Sequence, residues 1–491
     1  MNLPQDVNFI IDEFNGKITG TLLQWIPSED PASLVPYFEI NGKTATVDGV
    51  NQTTHVTKNN FKQPLTYSVI AQNGAERKYT ISLICPQVNA SLPVLKIDAD
   101  GPINSKEIYV KAELKTIGNG VTEGLWDSYA SGKKIEIRLR GNSTAYLPKK
   151  PYRIKFPDKF SPLGLNHAKE KSWVLLANDA DKTLLRNAVA FQASRIMDDN
   201  ATQPRFTPAT AFVDVYLDGN YEGNYMLTDQ LEVAPGRVNV ESLKASDGAD
   251  PAKITGGYFL EIDGFGASEP LFFYTPQKNL TVVLKYPKDD DYAAPQFDYI
   301  KDYFGNKAEG ALFAGNFTDP ALGWRSYFDS KTWVDYYIIN EFTGNSDAWW
   351  STNVYKYRND PLLYFGPVWD FDIAFNNDLR LGDATRKLMA TDAHDPRQWI
   401  QQFMLDPGFK ADVKTRWNAK KAELKALTSY VDQLETKINL SQQANFMRWD
   451  IRTQTLGHGG TPPSSYKEGI TQLKNYLDAR YNYLEEIFSA W

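Results

Sequence analysis

Gly366-Pro367-Val368-Trp369-Asp370-Phe371-Asp372 follows a short apolar strand pattern at Leu362 to Phe365. Upstream, Asn345-Ser346-Asp347-Ala348-Trp349-Trp350-Ser351-Thr352-Asn353 follows an amphipathic helical pattern at Lys331 to Phe342, and the two leading acids stand 370 − 347 = 23 residues apart. Phosphoryl transfer from ATP asks little covalent work of a protein. It needs an acid to orient the acceptor hydroxyl and carboxylate or amide oxygens to hold magnesium against the phosphates. Asp347, Asn353 and Asp370 occur in the order Asp, Asn, Asp that meets this need, with Asp372 a further oxygen donor. The same residues also suit a plainer role, since Asp and Asn at a helix exit commonly cap turns. Trp349, Trp350 and Trp369 read first as core aromatics.

Upstream, Arg138-Leu139-Arg140-Gly141-Asn142-Ser143-Thr144 and Lys149-Lys150-Pro151-Tyr152-Arg153-Ile154-Lys155 flank a glycine-containing turn between strand patterns at Lys134 to Leu139 and Tyr152 to Phe156. Cations and backbone amides in such a turn can embrace phosphates, and a solvated basic hairpin would look the same. We assign nucleotide contacts to Arg140, Asn142, Ser143, Lys150 and Lys155, with Gly141 allowing close backbone approach. No Gly-x-x-x-x-Gly-Lys-Ser loop occurs. Asp181 or Thr183 reads as a cap for the helical pattern Thr183 to Met197, or as an acid that orients the basic hairpin.

A chain of 491 residues exceeds one ordinary core, so two domains, or one large domain with an appendage, are expected. Hydrophobic content of 42% with 23% charged residues describes a folded protein, and a net charge of −7 excludes general nucleic-acid affinity. The lone Cys85 excludes an internal disulfide and reads as a small buried hydrophobe; His55, His167, His394 and His458 show no ligand spacing. No apolar run is long enough for a bilayer, and the start Met1-Asn2-Leu3-Pro4-Gln5 lacks a signal pattern, so the chain is cytosolic or its leader has been removed. Residues 1–87 read as an Ig-like β-sandwich, with hairpin dipeptides Asn41-Gly42, Asp48-Gly49 and Asn73-Gly74; residues 88–95 read as a linker. Residues 96–491 read as an α+β domain, mainly helical after about 406, with a break at the glycines and prolines of 457–463 and a closing amphipathic stretch Tyr466 to Phe488.

Four blocks, in order, resemble the CotH family of atypical kinases: Arg140 to Thr144 with Pro148 to Lys155; Leu175-Leu176-Ala177-Asn178 through Leu185-Arg186-Asn187; Gly257 to Asp263; and Gly366 to Asp372. The resemblance runs from about Leu92 to the C-terminus and implies a kinase-like fold in which Asp347 matches the family's catalytic-region aspartate and Asp370 its magnesium-binding aspartate. The nucleotide then belongs between these acids and the basic hairpin. Two departures stand out. The family commonly reads Arg-Gly-Arg-Gly-Asn-Ser-Thr-Trp, and here Leu139 replaces the first glycine and Ala145 the tryptophan, which predicts a stiffer, less aromatic loop. Stacking on adenine would then fall to Tyr146 or Tyr364.

The resemblance implies a kinase transferring the γ-phosphate of ATP to Ser or Thr hydroxyls of a protein, with Mg held by Asp370; Asp372 and Asn353 are read as further metal contacts, and Tyr364 is read as a nucleotide contact from its nearness to these blocks. Two other functions fit the residues: a cell-surface binding protein that uses a kinase-like scaffold without turnover, and transfer of another nucleotide-derived group such as AMP. The small β module ahead of the catalytic domain points to an extracytoplasmic or cell-surface location, with a lipid anchor outside this stretch compatible with it.

Overall fold

The computed structural model describes residues 7–22, 33–84, 92–117, 132–165, 169–200, 205–348, 350–392, 398–451 and 462–491. Cys85, residues 88–91 of the linker, Trp349, His167, His394, His458 and the glycines at 457, 459 and 460 lie outside the described residues. No helix of the described residues is long and apolar enough to cross a membrane.

The N-terminal part is all-β. Its strands are β1 (Val7–Asp12), β2 (Lys17–Leu22), β3 (Thr44–Val47), β4 (Val50–Asn51), β5 (Leu65–Ile70) and β6 (Glu76–Ile84), joined among the described residues in one sheet of order β1-β2-β6-β5-β3-β4. Asp48-Gly49 makes a two-residue hairpin with φ of 48° and 79°, the mirror-image turn whose twist matches its strands. Asn73-Gly74 joins β5 to β6 through a longer loop closed by Ala71 N–H on Ala75 O at 2.8 Å, while Asn41-Gly42 makes only a bend before β3.

Seven strands close a barrel: β7 (Val94–Ala99), β8 (Val110–Ile117), β9 (Lys133–Leu139), β10 (Tyr152–Phe160), β11 (Glu170–Leu176), β12 (Ala211–Leu217) and β13 (Asn220–Asp229), in the order β10-β11-β13-β12-β7-β8-β9. Alternate residues point inward, so Leu95, Ile97, Leu114, Ile137, Ile154, Trp173 and Val213 fill the interior. Leu139 ends β9 in this interior, paired with Tyr152 across the ladder, so its side chain packs the barrel. The hairpin that reads either as a phosphate cradle or as a solvated basic turn is thus one wall of a closed barrel.

Helix α1 (Arg186–Ile196) starts later than its apolar pattern because Asp181 organises the preceding turn, accepting Thr183 N–H and Arg186 N–H at 2.8 Å each. The second sheet holds β14 (Tyr258–Asp263), β15 (Phe272–Tyr274), β16 (Thr281–Tyr286), β17 (Ser351–Lys356) and β18 (Tyr364–Phe365) in the order β15-β16-β14-β17-β18. Between β16 and β17 lie α2 (Ala294–Lys301) and α3 (Ser330–Thr343); α3 is capped by Asp329, whose Oδ1 accepts Thr332 N–H at 2.7 Å, and stopped by Gly344 at φ 57°. The expected helical C-terminal part follows as α4 (Gln398–Met404), α5 (Pro407–Lys425), α6 (Leu427–Arg448) and α7 (Tyr466–Ala490). One apolar cluster joins α1, the second sheet and these helices, with Trp333 at 4.3 Å from Phe365 and 4.9 Å from Phe403 between ring centres. The architecture is α+β, and its core holds the ends of α3 and β18 against α1, where both acid-bearing loops emerge.

Candidate active site

Asp347 sits in the loop between Gly344 and β17. Asn345 ties this loop to the second acid: its Oδ1 accepts Asp347 N–H at 3.1 Å and its Nδ2 donates to Asp370 O at 3.3 Å. Asp370 adopts φ 66°, a left-handed conformation that Asp tolerates better than most residues and that sharply turns the chain after β18. Phe371 is fully buried against Phe191 of α1, and its N–H donates to Asn187 Oδ1 at 2.8 Å. Asn187 in turn donates to Asn178 Oδ1 at 3.0 Å. Two of the resembling blocks, at 178–187 and 370–372, and the Asp347 loop at 345–347 are therefore held together by hydrogen bonds.

Charge is concentrated here. Asp370 keeps a solvent-accessible edge while protein crowds its other side, and Asp372 is buried beside it, their carboxyls within hydrogen-bonding reach. Burial drives the Asp372 carboxyl well above the usual range, with Asp370, Asp181 and Asp347 adding to the rise. Burial also raises Asp370, opposed chiefly by the positive charge of Arg140. Asp347 is pushed by burial up to about 6, against the pull of Arg380 and with Asp370 and Asp378 adding to the rise. Arg140 lies over the Trp369 ring at 5.5 Å, and Trp369 stacks on Phe191 at 5.9 Å, which fixes this cation beside the acid pair.

Of the other expected nucleotide residues, Asn142 and Ser143 are exposed on the turn whose Thr144 lines the small cavity, about 20 Å³, between Arg140, Asp370 and Asp372. Gly141 takes φ 88°, and a Cβ there would meet Thr144 Oγ1 at 2.0 Å, so only glycine fits. Lys150 donates to Ala145 O at 3.0 Å, and it is the neighbouring Lys149 that lines the cavity. Lys149 is buried, donates to Ala177 O at 2.7 Å and lies over the Tyr225 ring at 4.7 Å; burial pushes its pKa down to about 7. Lys155 is not brought to the acids. It faces Glu136, its cross-strand partner, at 3.0 Å on the barrel exterior, which also identifies the acid it pairs with; Asp181 pairs instead with Arg186. Asn353 is buried in β17 and donates its amide to Pro367 O at 3.0 Å, a bond that fixes the approach to Asp370.

Tyr364 stacks on Tyr355 at 5.5 Å and donates to Asp360 Oδ2 at 2.7 Å, whereas Tyr146 is 80% exposed. Tyr355 and Tyr357 form one wall of a cleft of about 720 Å³ that also touches Arg195, Arg237, Tyr336 and the Gly366 to Val368 segment leading to Asp370. This volume lies in the range of small-molecule sites. Among the described residues no group of three or more His, Cys, Asp or Glu side chains is arranged to cage a metal ion. Two crowded carboxylates with one arginine opposite nevertheless suit magnesium, which takes one or two carboxylates and completes its shell with phosphate oxygens and water.

Sequence reasoning missed Lys149, Asp378 and Arg380. Lys149 stood inside a quoted block, but a turn has no periodicity that separates it from Lys150. Asp378 and Arg380 carry no motif at all: Arg380 reaches Asp347 Oδ1 at 2.6 Å across 33 residues. No curated protein matches the chain. The family model for CotH kinase protein matches residues 137–484, well over half of the chain and all of the residues that build this site. On that match, over more than half of its length, the chain belongs to the CotH kinase protein family.

Proposed function

We propose that this protein transfers the γ-phosphate of ATP to Ser or Thr hydroxyls of a protein acceptor with magnesium. The observation that supports the reading is the convergence of Asp347 with the Asp370 and Asp372 pair, bridged by Asn345 and faced by Arg140. Asp347 orients the acceptor hydroxyl and takes its proton, a role matched by a carboxyl lifted to about 6. Asp370 and Asp372 would hold magnesium, which when bound neutralises charge on the phosphoryl oxygens. Arg140 and Lys149 face the phosphates, and the base and ribose occupy the aromatic-walled cleft of about 720 Å³ behind Gly366 to Val368. The sheet ahead of the kinase-like region, read as an Ig-like surface module, supports an extracytoplasmic or cell-surface location. Radiolabel from ATP should reach a Ser-rich acceptor or the protein itself, and Asp347→Asn should lower the rate roughly 10²-fold. Equal labelling by wild type and variant would remove Asp347 from this role.

One observation favours a second reading, a surface protein that binds a partner without turnover: the cavity between Arg140 and the acids holds only about 20 Å³ and must widen to admit phosphates. Melting with Mg-ATP separates the two, since ligand at about 100 times its dissociation constant stabilises by roughly 2.7 kcal/mol. No shift at millimolar Mg-ATP supports the non-catalytic reading. Mass spectrometry of a modified acceptor separates phosphate from AMP transfer.

A further inference from the structure

Arg380 lies between two aspartates in the loop after Asp370-Phe371-Asp372. Its Nη2 donates to Asp347 Oδ1 at 2.6 Å, and its Nε bonds Asp378 Oδ2. Asp378 is the buried member, its side chain 1% exposed against 33% for Asp347, and it is itself fixed: Oδ1 accepts Arg380 N–H at 2.8 Å and Oδ2 accepts Ser346 Oγ–H at 3.1 Å. Ser346 is the residue before Asp347 and is buried as well. The Asp347 loop is therefore gripped twice by the same device, once through the backbone neighbour Ser346 and once through the carboxylate.

We infer that Arg380, anchored by Asp378, is a positioning residue for Asp347: it occupies Oδ1 and leaves Oδ2 to receive the acceptor hydroxyl. The inference rests on the phosphotransfer reading for what Asp347 does, but not for how Asp347 is held. An ion pair about one-third exposed contributes little to stability, so the geometry is better explained by orientation of the acid it touches. Without Arg380, Asp347 would face Asp370, Asp372 and Asp378 with no cation in contact, and a carboxylate so placed turns away from its neighbours. Anchoring through a second, buried acid is the arrangement by which outer partners hold a reacting group within the small tolerance that chemistry requires.

Three variants of the full chain test this: Arg380→Gln, Arg380→Lys and Asp378→Asn. Carbodiimide and glycine ethyl ester labelling of Asp347, read by mass spectrometry, needs no acceptor and no turnover. Loss of the pairing guanidinium should increase Asp347 labelling at least about threefold in Arg380→Gln, with Arg380→Lys recovering part of the protection. In phosphate transfer, Arg380→Gln should lower kcat about tenfold or more while KM for Mg-ATP stays within about twofold. Asp378→Asn, which keeps the guanidinium but weakens its anchor, should fall between wild type and Arg380→Gln. Unchanged Asp347 labelling in Arg380→Gln overturns the inference, as does a loss of nucleotide affinity that accounts for the whole rate change. If wild type transfers no phosphate, the kinase reading fails and the labelling result still decides this one.

Discussion

Asp214→Asn should stabilise the protein at pH 8, about half as much at pH 5, and hardly at all below pH 4. Asp214 on β12 is the direct cross-strand partner of Asn224 on β13, on the barrel face that meets α6, and neither residue is accessible. Its Oδ1 accepts Tyr221 Oη–H at 2.7 Å and Ser441 Oγ–H at 2.6 Å, whereas its Oδ2 and the Oδ1 of Asn224 are both buried without a partner. Burial pushes the Asp214 carboxyl up to about 6, against the pull of Ser441, Tyr221 and the Lys149 charge. A folded-state value above the unfolded 3.8 means that the stabilisation is complete below 3.8 and is lost as pH rises through about 6. The gap is worth about 3 kcal/mol at pH 8. Asparagine keeps both accepted bonds with no charge to bury. At an unfolding entropy near 2 cal/mol/K per residue, a cooperative unit of about 400 residues should then melt roughly 4 °C higher. Melting curves of both proteins between pH 4.5 and 8.5 check this. A variant that melts below wild type by the same margin at pH 5 and pH 8 refutes the reasoning, because the neutral partner would then be no better than the ion.

Arg480→Met should be severely destabilising: Arg480 and Glu341 are both fully buried and paired at 2.6 Å, and the orphaned Glu341 should cost about 3–5 kcal/mol in urea unfolding. Gly141→Ala should abolish any Mg-ATP-induced rise in Tm while costing the bare protein only about 1–2 kcal/mol, since the strain of a Cβ at φ 88° against Thr144 falls on the turn facing the acids.

Much of the site was legible where chemistry is local in the chain. Asp370-Phe371-Asp372 announced itself through its flanking strand and turn, and the helical pattern at Lys331 to Phe342 came within a residue of α3 at each end, because the side-chain period of a helix is written locally. Arg140 lies beside the acids; Lys155 was not brought there, because three positions along β10 carry a side chain away from the turn to the cross-strand company of Glu136. Lys149 was passed over for Lys150, since which of two adjacent lysines turns inward is set by the carbonyls of Ala177 and Asn224, far away in sequence.

By itself the sequence determined the α+β class, the all-β start, the helical end and the family, because these rest on alternation, caps and short ordered blocks. Only the tertiary structure decided that seven strands close into a barrel, that Asn345 and Asn187 knit the acid loops to α1, and that Arg380 reaches back to Asp347. The physical reason is the range of the interactions: a turn or helix cap is written within about five residues, whereas barrel closure and charge pairing are settled between side chains whose spacing along the chain carries no rule.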